Sequence, residues 1–297
     1  NRGFRLGASD DQVRSLSRNT QLSSAFFLSS ILEVMQLEDG ESRAIAFDDS
    51  SLDFLDNTKL QQAFRQAEEQ TGQKVSLIGM DACLMSMVEV AYQLRANANY
   101  MVASQEVEPL SGWSYTAILS SLTSNAGMTP EALATLIVQE YGRYYQEDSR
   151  GSLPQITQSA TNLMVVEKLV EAVGRLASVL RQLLAEKDFY LEKALSYAKR
   201  QVVRFKDKDC VDLYDFMKLI RDEYVGDSTE LTTVLDEVMD LITPEMEPRL
   251  VVANVTSGLR FSRVKGLSIY APYKRYSPFY DRSDFASCGW GKLVRGW

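Results

Sequence analysis

Residues Val75 to Met80 form a short apolar run directly after a helix-patterned stretch, Asn57 to Gln70, and a Thr71-Gly72 turn. Val75, Leu77, Ile78 and Met80 are too few for a helix and dense enough for a buried strand, with Gly79 near its exit. Helix, turn and strand in that order are the unit of an α/β sheet. In such sheets ligands and chemistry gather where the strands end at their carboxyl edge. Asp81 and Cys83 follow the run there.

Two readings of Cys83 stand side by side. Free cysteine is among the most buried residue types and commonly behaves as a small hydrophobe. The alternative is a nucleophile. Met85, Val88 and Leu94 fall near helical spacing over Leu84 to Asn97, which puts Cys83 at or just before a helix N-terminus, where exposed N–H groups favour a thiolate. Asp81 faces the same side if the segment is extended. A carboxylate raises a neighbouring thiol's pKa, so Asp81 does not activate Cys83; its chemistry suits a site for something cationic.

The composition narrows the partners. The net charge of -8 argues against nucleic acid, because phosphate binding needs clustered Lys and Arg. Three separated cysteines, Cys83, Cys210 and Cys288, make no disulfide scaffold or zinc motif, and with no histidine they argue against a transition-metal enzyme. Cys210 and Cys288 read as structural. No apolar run reaches the roughly 18 residues of a membrane span. With 297 residues, 45% of them hydrophobic, the chain can bury a substantial core in one or two domains.

In chain order, Asn1 to Gly40 is loop-like at its start, with Arg14 and Arg18 exposed or within a self-cleavage loop, and Ala25 to Met35 fits a helix or a strand. Arg43 to Phe47 reads as a strand before an acidic cluster, Asp48 to Asp53, whose hard oxygens suit calcium without the spacing of a calcium loop and which a turn and helix cap explain equally well. Tyr100 to Ser104 is a strand and Trp113 to Leu122 a short helix. Thr129 caps a helix with Pro130 at its first position. Glu147 to Pro154 reads as a boundary. Beyond it a strand at Gln155 to Thr161 precedes helices at Leu163 to Glu186, Tyr190 to Val203, Leu213 to Tyr224 and Thr229 to Ile242. Asp207, Asp209, Asp212 and Asp215 read as a solvated acidic turn and helix start. Arg249 to Val255 and Gly266 to Ala271 are β-rich, and the tyrosines of Tyr270 to Tyr280 fit packing or a substrate-side loop.

Several segments in the same order carry a resemblance. Asp81-Ala-Cys-Leu-Met-Ser-Met-Val-Glu-Val-Ala-Tyr92, Val102-Ala-Ser-Gln-Glu106 and Glu108-Pro-Leu-Ser-Gly-Trp-Ser-Tyr115 resemble the clostripain-like cysteine peptidases, as do Ala44 to Ser51, Val211 to Phe216 and Gly266 to Pro272. That resemblance implies an α/β, caspase-like three-layer core with a mixed, mostly parallel sheet over residues 1–154, and a helix-rich C-terminal region with closing strands over 155–297. It implies an endopeptidase cutting protein or peptide substrates after Arg, less so Lys. Cys83 is then the nucleophile, and Asp81 holds the basic side chain. A carboxylate grips a guanidinium by charge-assisted bonds, in a fork that Lys lacks. Glu106, Glu108 and Trp113 are further substrate-binding candidates. Backbone N–H groups near Gly79 to Cys83 would stabilise the oxyanion.

The family's Cys-His pair is incomplete here, since the chain has no histidine and hence no base for the thiol or acid for the leaving amine. Alone, the chain is expected to be inactive. A missing beginning or cleavage before Asn1 would leave the histidine on an upstream segment or a shorter companion chain; the presence of both Asp81 and Cys83 favours these over a pseudo-peptidase that binds basic peptides. No cofactor is required by the sequence, although the resemblance admits calcium, and it favours a secreted or extracytoplasmic location. No nucleic-acid or membrane partner is expected.

Overall fold

The expected helix-turn-strand unit opens the computed structural model, which describes residues 47–48, 53–54, 57–147, 154–243, 248–273, 275–277, 280–281 and 283–297. Arg14, Arg18, the Ala25 to Met35 stretch and most of the Asp48 to Asp53 cluster lie outside the described residues. β1 (Phe47–Asp48) and β2 (Asp53–Phe54) pair antiparallel. Then come α1 (Asn57–Thr71), β3 (Val75–Gly79), α2 (Val88–Leu94), β4 (Ala98–Ala103), α3 (Tyr115–Ser124), α4 (Pro130–Glu147) and β5 (Ile156–Asn162). They are followed by α5 (Val166–Ala185), α6 (Phe189–Gln201), β6 (Cys210–Asp212), α7 (Leu213–Glu223), α8 (Thr229–Ile242), β7 (Val251–Ser257), β8 (Ser268–Tyr270) and α9 (Trp290–Val294).

Four strands make the main sheet in the order β3-β4-β5-β7, with β3 and β4 parallel and the other two neighbour pairs antiparallel. Strands from both sides of residue 154 therefore share one sheet. β6 and β8 pair antiparallel separately. Alternation along β4 shows how three layers arise. Met101 and Ala103 enter the large core that includes α2 and α5 to α8, while Tyr100 and Val102 enter a smaller core with Trp113, Ile118 and Tyr141 beneath α3 and α4. The expected three-layer arrangement is thus present, with helices on each face of a mixed sheet in which one of the three described neighbour pairs is parallel.

Local rules account for the helices. Thr129 Oγ accepts from the Ala132 N–H at 3.2 Å, as its capping role requires. α5 buries Val166, Leu169, Val170, Val173, Leu176, Ala177 and Leu180, a stripe at helical spacing. The tyrosine run is packing: Tyr270, Tyr276 and Tyr280 meet one another ring to ring, and Tyr270 and Tyr280 are buried.

Two expectations are corrected. The helix after Cys83 begins only at Val88, behind Met87, so Cys83 does not sit at its N-terminus; residues 82–84 form a turn instead. The acidic group at 207–215 is not wholly solvated either. Asp212 and Asp215 are buried. Asp212 caps α7 by accepting from the Asp215 N–H at 2.8 Å. Asp215 accepts from the Val203 N–H at 2.8 Å and pairs with Arg263 at 2.8 Å. A buried carboxylate persists where such partners replace water.

Candidate active site

β3 ends with its last ladder bond, Met80 N–H to Val102 O at 2.9 Å, and the chain then turns sharply. Leu84 takes a left-handed backbone, φ 62°, which costs an L residue on the order of 1 kcal/mol. Two bonds to the facing loop hold that turn: Leu84 N–H to Glu106 O at 3.2 Å and Ser86 N–H to Ser104 O at 2.9 Å. Backbone strain of this kind is found where surrounding structure over-determines it, commonly at functional sites.

Cys83 is 6% exposed. Its Sγ accepts from the Glu108 N–H at 3.3 Å. The N–H group that the sequence pattern assigned to a following helix is therefore supplied by a loop beyond the next strand. The turn also means that Asp81 and Cys83 do not share an extended segment. Asp81, half-buried, accepts on Oδ2 from the Tyr115 hydroxyl at 2.9 Å and the Trp113 N–H at 3.4 Å. The two residues are thus held by different points of one loop.

That loop gathers the other candidates. Glu108 is fully buried and its Oε1 accepts from Trp113 Nε1 at 3.4 Å. Trp113 lies against the exit of β3: a Cβ on Gly79 would stand 2.9 Å from its Cζ3, so the absent side chain is what lets the ring approach. Glu106 turns elsewhere. Its Oε1 accepts from the Val107 N–H at 2.9 Å and the Lys206 N–H at 3.0 Å, and its Oε2 stands 3.7 Å from Arg260. Burial raises the Glu106 carboxyl above its ordinary value despite these partners. Burial, then the neighbouring Glu108 carboxylate, push the Tyr141 phenol well above its ordinary value.

Sequence reasoning missed Tyr115 as the partner of Asp81, and Tyr145, whose hydroxyl donates to Gly112 O at 2.9 Å and steadies the loop. The Trp-Ser-Tyr run was the available signal for Tyr115; nothing local marked Tyr145. Among the described residues no three His, Cys, Asp or Glu side chains converge as a metal-binding group, and no helix is long and apolar enough to cross a membrane.

The chemistry assembled is a buried thiol receiving one backbone N–H, and a half-buried carboxylate beside it, at the carboxyl edge of a mixed sheet. A cysteine protease from B. fragilis superposes with a TM-score of 0.56 at 18% identity, covering 84% of this chain and 99% of that one. A clostripain from Bacteroides thetaiotaomicron, in complex with the peptide inhibitor BTN-VLTK-AOMK, gives 0.57 at 15% identity, covering 82% and 98%. A secreted C11 cysteine protease from Bacteroides thetaiotaomicron, in complex with an irreversible peptide inhibitor, gives 0.55 at 18% identity, covering 80% and 64%. No curated protein sequence matches the chain. These similarities establish a shared fold, and residues 34–291 match the family Peptidase_C11, so the chain belongs to the clostripain family.

Proposed function

We propose that this chain carries the nucleophile and the specificity pocket of a cysteine endopeptidase that cuts after Arg, less efficiently after Lys. The observation that supports it most is the Asp81 carboxylate, fixed by Tyr115 and Trp113 on the loop whose Glu108 N–H reaches the Cys83 sulfur. A carboxylate oriented by neutral donors is placed to meet a cationic side chain. A guanidinium engages it by charge-assisted, forked bonds; an ammonium is a point charge and gains less. Glu108 and Trp113 line the same loop and serve as pocket walls. Glu106 acts through the loop's conformation. The similar clostripain structure holds an inhibitor whose VLTK sequence includes a lysine.

In the reaction the Cys83 thiolate attacks the scissile carbonyl carbon. The C–N bond breaks, the amine leaves with a proton from an imidazolium, and water then releases the acyl group from sulfur. The imidazole must come from a histidine outside this sequence, which contains none. The Glu108 N–H supports the thiolate before attack; of the N–H groups near Gly79 to Cys83, that of Met80 is taken by Val102 O at 2.9 Å, which leaves those after it as the candidates for the oxyanion. That same lack of histidine supports the second reading, a module that binds basic peptides without turnover.

A covalent arginyl peptide probe applied to the native protein tests both. Under the first reading it labels Cys83, located by mass spectrometry, and a histidine-bearing segment or companion chain is recovered. Asp81→Ala should slow that labelling about 100-fold while Cys83 still reacts with a small thiol reagent, because truncating one partner of a desolvated charged pair costs roughly 3 kcal/mol. Unchanged preference for arginyl over neutral probes in that variant would remove the pocket assignment. Reversible binding of arginine peptides without label would favour the binding module.

A further inference from the structure

The loop that touches the Cys83 sulfur has no regular structure between β4 and Glu108. Its shape is set from outside by buried polar side chains. Thr157 Oγ1 on β5 accepts from the N–H groups of Gln105 and Glu106, both at 3.0 Å. Gln105, only 1% exposed, uses both ends of its amide: Nε2 donates to Asp212 Oδ2 at 3.0 Å, and Oε1 accepts from the Gly266 N–H at 3.1 Å. It cannot turn without losing both bonds.

Asp212 is more than the cap of α7. Its Oδ2 also accepts from the Lys265 N–H at 2.9 Å, which joins the start of α7, the 263–266 turn and the nucleophile loop at one carboxylate. Gly266 closes the circuit. Its backbone, φ 97°, and a Cβ position 2.9 Å from Ser159 Cβ require glycine. Its carbonyl accepts from Ser86 Oγ at 2.7 Å and Ser159 Oγ at 2.6 Å. Ser86 lies just past Cys83. A closed path of hydrogen bonds thus runs from the Cys83 turn through Gly266, Gln105 and the loop to the Glu108 N–H and back to the sulfur.

We propose that Gln105 and Asp212 are a positioning pair that keeps the Glu108 N–H on the Cys83 sulfur, so that the helical C-terminal part of the chain sets the reactivity of the nucleophile. The proposal rests on Cys83 as nucleophile and adds groups that touch neither substrate nor sulfur. Losing the pair frees the loop, removes the N–H that stabilises the thiolate, and raises the thiol's apparent pKa.

The test is a double-mutant cycle read at the sulfur. Alkylation of Cys83 by chloroacetamide is followed against pH in the full native protein, site-resolved by mass spectrometry. Asp212→Asn sets an amide NH2 against that of Gln105, and Gln105→Glu sets a carboxylate against Asp212. Each single change should slow alkylation near pH 7 about tenfold and move the profile to higher pH. The double variant re-forms the 105–212 bond but leaves an amide NH2 facing a backbone N–H that Asp212 accepted, so its loss should be clearly smaller than the sum of the two single losses, since residues sharing one bond are non-additive. Leu195→Ala in α6 lowers stability elsewhere and should leave the profile in place. Additive losses in the double variant, or single variants that melt earlier with an unmoved profile, would overturn the proposal. If the arginyl probe fails on the native protein while the cycle behaves as stated, the peptidase reading falls and the coupling stands.

Discussion

Helices α6 to α8 of the C-terminal part and the two that flank the Cys83 loop are finished differently. α6, α7 and α8 each begin on a side-chain cap: Asp188 to the Leu191 N–H at 2.8 Å, Asp212 to that of Asp215 at 2.8 Å, and Ser228 to that of Leu231 at 3.2 Å. α2 and α3 begin at Met87 and Ser114 with no side-chain cap bond. Left-handed residues and buried carboxylates occur on both sides, Leu84 with Glu89, Glu106 and Glu108 at the site and Lys187 with Asp212 and Asp215 in the helical part, so the caps carry the contrast. One region satisfies its backbone locally and buries apolar stripes. The other leaves local satisfaction undone and is held by bonds from distant segments. Its shape is therefore borrowed from the first, which is how a reactive group is kept in a conformation that its own sequence does not favour.

The largest effect expected on this contrast is in the helical part. Leu235 is fully buried on α8, and Leu235→Ala should cost about 4 kcal/mol through lost burial and the cavity left behind. A urea midpoint would measure it, and the alkylation profile of Cys83 in the folded protein should not move. A shifted profile would mean that the two regions are not separable in this way.

Glu89 gives the next effect. It sits on α2 with Oε1 accepting from the Tyr270 N–H at 2.9 Å and the Tyr280 hydroxyl at 3.0 Å, and burial raises its carboxyl to about 7. Tyr270, Tyr280, Cys210 and Cys288 are its titratable neighbours. The folded state binds the proton more tightly than the unfolded one, so this group's contribution falls as pH rises from about 4.5 to 7 and is flat above. Glu89→Gln keeps the acceptor and removes the charge. It should raise stability at pH 8 by up to about 3 kcal/mol and change little at pH 4. Equal unfolding midpoints for variant and parent at pH 8 would show that the buried charge costs nothing there.

The smallest effect is a cap. Ser228→Ala should cost about 1 kcal/mol by leaving the Leu231 N–H unsatisfied. A thermal melt with no shift would weaken the claim that the helical part rests on local rules.

Much of the fold was legible. The α8 bounds, Thr229 and Ile242, follow from an apolar period, and α1, β3, α4 and β5 follow from comparable local signals. The helix after Cys83 was overextended because Met85 has helical spacing to its neighbours, yet the turn at 82–84 and the pairing of Met87 with Ser268 hold that stretch out of helix. The acidic run at 207–215 was misread as solvated because nothing adjacent in sequence announces Arg263, Gln105 or Lys265 as its partners.

By itself the sequence determined that Asp81 and Cys83 follow a short strand, although only Ile78 of that strand is buried, that helices of given length and face follow, and that no histidine is available within this chain. These are consequences of short-range periodicity, capping chemistry and composition. Only the tertiary structure decided which N–H reaches the sulfur, because Glu108 is 25 residues from Cys83, and which carboxylate anchors the loop, because Asp212 is 107 residues from Gln105. Such bonds form between groups that meet only after the sheet has closed and water has been excluded. Their strength depends on burial that no local pattern specifies.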